Sequence, residues 1–416
     1  MRACNLAEHG TATRIARVTV VLFFIAMASG FAQFGAVASL NDVAHHFGHH
    51  TNAKTLQSVV GLSGSILGVG LAVLRLASLA SLPLAALADR WGRVVVLRRT
   101  LWIGLLVTAL ASLSPSYWFF VACFAFARPL LSATSTLTQV VTVELTSTSR
   151  RIHRLVIIAA GAGSGAGLSA VLHGFIRGSN SFRWLFALAL VPLVVMPRLT
   201  KSLPEPTHRR DQLFLSRVGS VERQWRPRLY AVAAISFGVG VISGPANGFA
   251  FVYGEGVLRL APHTVATVVA LSALTGLGGL LTSRVLSRRL GRRATVVLGA
   301  VASTLTACLA YSGGRSSFIV GYMTGVFAAG LLAPAAAALS TEIFPHRVRA
   351  TTAGWIVVAG VVGATSGLFF FGWVADAVSA SAVTSLRVPA LVTFLPTLPL
   401  LSLVRRLPET AGQEID

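Results

Sequence analysis

Twelve stretches of this chain are apolar for long enough to cross a bilayer, and short islands of arginine separate them. A helix needs about 20 such residues to traverse the hydrocarbon. The runs fall at 18–40, 58–87, 95–113, 117–143, 155–176, 184–201, 229–253, 263–284, 294–312, 317–341, 350–374 and 385–404. In lipid, each backbone N–H and C=O has to be satisfied inside the chain, so runs of this length are expected to be helices packed side by side. The expected fold is all-α, a polytopic membrane protein of twelve transmembrane helices. The first run is as long as a full span and no small-residue cleavage site follows it, so it reads as a span and not as a leader.

Composition agrees and removes one competing class. Hydrophobic residues make up 54% of the chain and charged residues 12%, yet the formal net charge is +22. A basic protein of that charge invites a nucleic-acid reading, which needs the cations gathered on a folded soluble face. Here they sit in the turns. "LADRWGRVVVLRR" at 87–99 holds four arginines and an aspartate, and "LSRRLGRRATVVL" at 286–298 repeats the theme. Lysine and arginine are retained on the cytoplasmic side of a membrane. Placing the N-terminus inside puts Arg90, Arg93, Arg98, Arg99, Arg150, Arg151, Arg154, the central basic connection, the Arg284–Arg293 group, Arg347, Arg349, Arg405 and Arg406 on that side. Both termini are therefore expected to be cytoplasmic, in a plasma or inner membrane. Cys4, Cys123 and Cys308 imply no disulfide framework. The cluster His45, His46, His49, His50 is dense enough for a metal, but no Cys or acidic pattern completes a tetrahedral set around it, and it reads as a solvated loop.

The chain is internally doubled. Gly92 and Gly291 lie 199 residues apart, each followed by arginine. "VELTSTSRR" and "TEIFPHRVR" share an acid and an arginine seven apart, Glu144 with Arg151 and Glu342 with Arg349. "LPEPT" at 203–207 and "LPETA" at 407–411 close the two copies. The expected organisation is a six-helix half at 1–201, a linker at 202–228, a second half at 229–404 and a tail at 405–416. Paired repeats around a central pathway are a common build for secondary transporters.

At these residues the sequence resembles the major facilitator superfamily. "ALADRWGR" is similar to the loop 2–3 signature of that family, "FARPLLSAT" at 126–134 to its fourth-helix arginine motif, and the Pro-Glu-Thr tail to its sugar-porter and metabolite-porter branches. Three departures stand out: Ala85 replaces a glycine of the signature, Arg288 occupies the aspartate position in the second copy, and "GAGSGAGLSAVLHG" lacks the Gly-Pro of the antiporter branch. The resemblance implies two pseudo-symmetric six-helix bundles and alternating access. It implies that Asp89, which can also cap free backbone N–H groups, is placed against helix eleven. Asp89, Gly92, Arg93, Glu144, Arg151, Glu342 and Arg349 would then form a gating latch on the cytoplasmic face. Dense glycines in spans two, five and eleven (Gly64, Gly68; Gly161, Gly163, Gly165, Gly167; Gly363, Gly367) are expected to serve close helix packing.

Ionisable residues inside spans are costly and default to a function. Arg128 and Arg75 fall at middle depth, and Gln33, Asn247 and Tyr322 lie on spans one, seven and ten, which line the cavity in that family. These five are the candidate substrate-cavity residues, with Arg128 meeting either an anionic solute group or backbone carbonyls. No acid lies clearly in a span; Asp42, Glu255 and Asp376 are at outer ends, so His173 and these acids are the candidates for a proton relay. The expected function is secondary transport of a small organic solute such as a sugar or carboxylate, with or without protons as coupling ion, by a monomer in the lipid bilayer. A multidrug or metabolite exporter of the same fold and a transporter-like sensor or scaffold are the alternatives. No phosphate-binding loop or nucleophile-base set is found, so neither an ATP-driven pump nor an enzyme is expected, and no cofactor or metal is called for.

Overall fold

The computed structural model describes residues 2–49, 51, 55–146, 151–176, 178, 180–205, 221–378 and 385–409. The linker residues 206–220 and the tail residues 410–416 lie outside the described residues. Twelve helices are long and apolar enough to span a membrane. They are α1 (Arg17–Ala38), α2 (Gly64–Trp91), α3 (Arg93–Leu113), α4 (Tyr117–Glu144), α5 (His153–Phe175), α6 (Ser181–Thr200), α7 (Arg226–Gly248), α8 (Pro262–Arg289), α9 (Arg292–Ala310), α10 (Arg315–Glu342), α11 (Arg347–Ala377) and α12 (Arg387–Arg406). Among the described residues there is no strand.

Three local departures from the sequence expectation have evident causes. A short helix, Leu40–Phe47, follows α1 where a loop was expected, and its Leu40, Val43 and Ala44 are buried. The chain after α7 winds into a π-helical turn at Val252–Val257 and does not extend the span. The second part of α12, Leu395–Arg406, is a 3-10 helix beginning beside Pro396 and containing Pro399, since proline removes the N–H that an α-turn would use.

The chain divides into two compact units. The first comprises 1–36, 80–172 and 181–213; the second comprises 37–79, 173–180 and 214–416. Helices α1, α2 and α5 therefore each run from one unit into the other. The first unit packs Leu22, Ile25, Leu97, Leu101, Leu105, Leu131, Val141 and Ile158 into its core. The second packs Leu229, Val232, Ile235, Val296, Leu332, Leu339 and Phe344. Large apolar side chains are also exposed in rows, as at Leu274, Leu277 and Leu281 on α8 and Val191, Val194 and Val195 on α6. A water-soluble monomer rarely shows apolar surface on this scale; a bilayer solvates it.

Glycine carries the helix contacts as the sequence suggested, with partners the sequence did not name. In the first unit a Cβ on Gly161 would lie 2.7 Å from the Phe23 carbonyl oxygen, and Gly165 abuts the Met27 carbonyl, so α5 rests on α1. In the second unit Gly363 and Gly367 of α11 abut the Phe237 and Val241 carbonyls of α7. There too, Gly64 and Gly68 of α2 meet Gly372 and Leu368 of α11. Gly163 and Gly167 face open space.

Several hydroxyls inside spans are satisfied by their own helix. Thr134, Thr138 and Thr142 each donate to the carbonyl four residues earlier, at 2.9, 2.7 and 2.7 Å. This back-bonding hides a hydroxyl from lipid. Thr134 also exchanges a hydrogen bond with Thr100 across α3 and α4 at 3.0 Å.

Candidate functional site

The repeated Gly-Arg turns build the same small machine in each half. Gly92 ends α2 and begins α3 with φ +98°, and Gly291 does the same between α8 and α9 with φ +88°. Only glycine adopts such backbone angles without strain. In the first unit Arg93 pairs with Glu144 at the end of α4 and, at 3.1 Å, with Asp89. In the second unit Arg292 pairs with Glu342 at the end of α10. The acids of the two tail motifs complete each turn. Glu205 accepts from Val94 N at 3.1 and 3.2 Å; Glu409 accepts from Arg292 N at 2.8 Å and Arg293 N at 3.1 Å. A carboxylate on the free N–H groups of a helix start satisfies orphan donors and meets the positive end of the helix dipole.

Several expectations change here. Asp89 caps no helix; its Oδ1 receives Arg93, and the cap comes from Glu205. Glu144 and Glu342 do not pair with the arginines seven residues on. Arg151 donates to the Thr146 carbonyl at 3.2 Å, and Arg349 to the Phe344 carbonyl at 3.2–3.3 Å, so both arginines close the turn after α4 and α10. Arg292, Glu205 and Glu409 were not among the expected residues. The signal for all three was present in the duplication itself, since Arg292 matches Arg93 and Glu409 matches Glu205. Arg288, standing where the first copy has Asp89, leaves Arg292 with a single acid.

Arg128 and Gln33 come together in the first unit. Arg128 Nη1 donates to the Gln33 carbonyl at 3.2 Å. Gln33 Nε2 donates to Ser29 at 3.0 Å and to Ser135 at 3.3 Å, while its Oε1 accepts from Ser132 at 3.3 Å. The backbone carbonyl expected as one of its partners is present. Arg75 lies elsewhere, half-buried in the second unit, with no hydrogen bond or ion pair of its guanidinium among the described residues.

Asn247 and Tyr322 meet in the second unit, on the wall of a cavity of about 470 Å³ between α7, α9, α10 and α11. Ser236, Ser243, Ser303 and Tyr311 add hydroxyls; the remaining lining is aliphatic, alanine or glycine, and none of it is ionisable at neutral pH. Tyr311 donates to the Pro245 and Ala246 carbonyls at 3.1 and 3.0 Å, so it shapes the wall. Asn247 Nδ2 donates to the Ser243 carbonyl at 2.9 Å. Ser303 Oγ is buried without a partner among the described residues. A chamber of this size and lining suits a small molecule that has apolar faces and a few hydrogen-bonding groups.

Two of the outer-end acids gather around His173, also in the second unit. Glu255 Oε1 lies 2.9 Å from His173 Nε2, Asp42 Oδ2 lies 3.4 Å from His173 Nδ1, and Asn41 Nδ2 donates to Glu255 Oε2 at 3.3 Å. Burial raises the Glu255 carboxyl above the ordinary carboxylate range, against the hydrogen bonds of His173 and Asn41 that lower it. The third acid, Asp376, is not in this group. It accepts from Gly64 N at 2.7 Å and Ser65 N at 2.8 Å, capping the start of α2. His45, His46 and His49 are exposed, as expected of a solvated stretch.

Comparisons with known proteins agree with this architecture. No curated protein matches the sequence. Among solved structures, a bacterial homolog of the human lysosomal transporter Spinster, in an inward-facing and occupied conformation, is similar over 94% of this chain and 97% of its own. Its identity is 14% and its TM-score 0.75. The D-xylose–proton symporter is similar over 96% of this chain and 99% of its own, with 17% identity and a TM-score of 0.70. The nucleoside transporter NupG covers 94% and 98%, with 12% identity and a TM-score of 0.72. Identities this low establish the fold alone. The sequence profile of the Major Facilitator Superfamily matches residues 22–289. Twelve apolar helices, a doubled Gly-Arg turn and that match lead to one conclusion: the chain belongs to the Major Facilitator Superfamily and is an integral multi-pass membrane transporter, not an enzyme.

Proposed function

We propose that this transporter moves a small, uncharged organic solute, sugar-like in size and polarity, by alternating access between its two six-helix halves, 1–201 and 229–404. The observation that carries this reading is the 470 Å³ cavity with Asn247, Tyr322 and several serines on an otherwise apolar wall. A carboxylate solute would want a cation there, and the lining offers none. The sugar and nucleoside transporters of similar fold take solutes of this general kind. The Gly-Arg turns lie on the cytoplasmic side in this reading, following the arginine bias, and both termini with them. Asp89, Gly92, Arg93, Glu144, Arg151, Glu342 and Arg349 act there as a latch whose strength biases the rocking equilibrium. Two states separated by a few kcal/mol are enough for such a cycle.

The test is reconstitution into liposomes with a panel of neutral sugars, nucleosides, carboxylates and cationic drugs, with and without an imposed pH gradient. The expected result is saturable uptake of a neutral solute, with KM raised about tenfold by Asn247→Ala or Tyr322→Phe, the effect of one lost hydrogen bond. Transport confined to carboxylates, and abolished by Arg75→Ala, would refute the neutral-solute reading. The pH-gradient arm reads coupling directly. A second reading, export of apolar compounds, draws on the aliphatic majority of the lining; competition by cationic drugs with no effect of any sugar would favour it.

A further inference from the structure

Three distant segments converge in the second unit: the short helix Leu40–Phe47, the last turns of α5, and the π-helical turn Val252–Val257. Their polar side chains form a compact group shielded from solvent. His173 is 2% exposed, Asn41 7% and Glu255 9%. One atom each from Asp42, His173 and Glu255 lies within 4.8 Å of the others. Phe251 packs edge-on to the imidazole at 5.5 Å, and Gly256 leaves room beside Asn41, where a Cβ would come within 3.0 Å of Oδ1.

The hydrogen-bonding inventory of this group is unbalanced. Asp42 Oδ2 faces Nδ1 of His173 at 3.4 Å and Glu255 Oε1 faces Nε2 at 2.9 Å, so the imidazole stands between two carboxylates. In the tautomer that carries its proton on Nδ1, Nε2 turns a lone pair toward the Glu255 carboxylate, a pair of acceptors that a cation can join. Asn41 Oδ1 is a third acceptor, buried and without a donor among the described residues, on an amide already held against Glu255. A single proton between Nε2 and Glu255 would leave that amide oxygen unsatisfied. A cation with several coordination positions can serve all three acceptors. Imidazole nitrogen with carboxylate and amide oxygens is a donor set for borderline divalent metals. Ligand bonds of about 2.0–2.2 Å place neighbouring donors roughly 3 Å apart, close to the His173–Glu255 separation. A carboxylate on the far nitrogen of a ligating histidine is the usual arrangement that fixes its tautomer.

We propose that Asn41, Asp42, His173 and Glu255 form a binding site for a divalent transition-metal ion of the zinc class. His173 Nε2, Glu255 and Asn41 Oδ1 are the ligands, and Asp42 orients the imidazole. The residues come from both halves of the sequence, so a bound ion joins the first repeat to the second at this end of the bundle. The site is independent of which solute the protein carries.

The experiment uses the full chain in lipid nanodiscs, with His45, His46, His49, His50, His153 and His263 replaced by glutamine to limit competing imidazoles. Zn²⁺ is titrated by equilibrium dialysis against a chelator of known affinity, and thermal unfolding is followed in parallel. The expected result is one equivalent of zinc bound and a raised Tm. His173→Gln and Glu255→Gln should each weaken binding at least 100-fold and remove the Tm gain. Asp42→Asn should weaken it about tenfold, in the range for lost outer partners of metal ligands. Asn41→Asp, which adds a charged ligand, should tighten it and guards against a variant that merely misfolds. No saturable binding, or binding indifferent to His173→Gln and Glu255→Gln, overturns the site. Unfolding that responds to pH through Glu255 with no response to zinc also overturns it and assigns the cluster to a proton.

Discussion

At the scale of single residues the two copies of the Gly-Arg turn differ in one position, and that difference has a measurable sign. The Arg93 guanidinium is held by Glu144 and Asp89, while among the described residues the Arg292 guanidinium pairs with Glu342 alone. Glu342→Gln therefore leaves the Arg292 guanidinium with no side-chain ion pair among the described residues, and Glu144→Gln leaves Arg93 with Asp89. Thermal or denaturant unfolding should show Glu342→Gln as the more destabilising change, by about 1–2 kcal/mol, since hydrogen bonds to charged groups contribute roughly 1.5–3 kcal/mol each and these side chains are partly screened by water. Equal effects would mean that Asp89 contributes nothing to holding Arg93. The glycines before them are equally specific. Gly92→Ala meets both a φ of +98° and Glu205 Oε1 at 3.0 Å. Its expected penalty is on the order of 1–3 kcal/mol, the usual range for strained backbone. Gly163→Ala, with open space around it, is expected to leave the melting temperature unchanged or slightly raised.

At the scale of elements, the acid of each tail motif is a helix cap contributed from far away in sequence. Glu205→Ala and Glu409→Ala remove the carboxylate from the starts of α3 and α9. Each should lower stability by about 0.5–2 kcal/mol, the range for losing an N-cap, read by the midpoint of unfolding in detergent titrations. Glu205→Gln, which still offers an acceptor, should recover part of the loss. This layer was half legible in the sequence. The repeat of Leu-Pro-Glu announced a shared job, but a run of letters cannot say which helix start the acid reaches 111 or 117 residues back. The spans themselves were legible almost to their ends, because the bilayer demands length and apolarity that no turn supplies. The exceptions are the places where geometry depends on more than composition: the π-turn after α7, the 3-10 half of α12 and the short helix after α1.

At the scale of the whole molecule, the side-chain groups assembled from distant segments were the least legible. Asn247 and Tyr322 were found because each was a lone polar residue on an expected cavity helix, and they do share one wall. Arg128 and Arg75 looked alike in the sequence as buried cations. Only the fold separates them, giving Arg128 the Gln33 carbonyl and leaving Arg75 half-buried in the second unit. Arg128→Ala is therefore expected to loosen the α1–α4 contact and lower Tm, whereas Arg75→Ala should leave Tm in place; thermal unfolding of the purified variants separates the two. The dense histidines at 45–50 drew attention by proximity in sequence, yet the buried imidazole is His173, 82 residues from its closest acid. Spacing rules see clusters along a chain and are blind to clusters across it.

Where Gly64 and Gly68 of α2 lie against Gly372 of α11 the main chains touch, and the Asp376 carboxylate closes one end by accepting from Gly64 N and Ser65 N. A file of water has no room between those glycines, so this seam is expected to resist proton leak. A carrier has to move its cargo without short-circuiting the gradient around it. Wedging that seam open with Gly372→Val should leave dye-loaded liposomes dissipating an imposed pH difference faster than the parent protein does, even with no solute present.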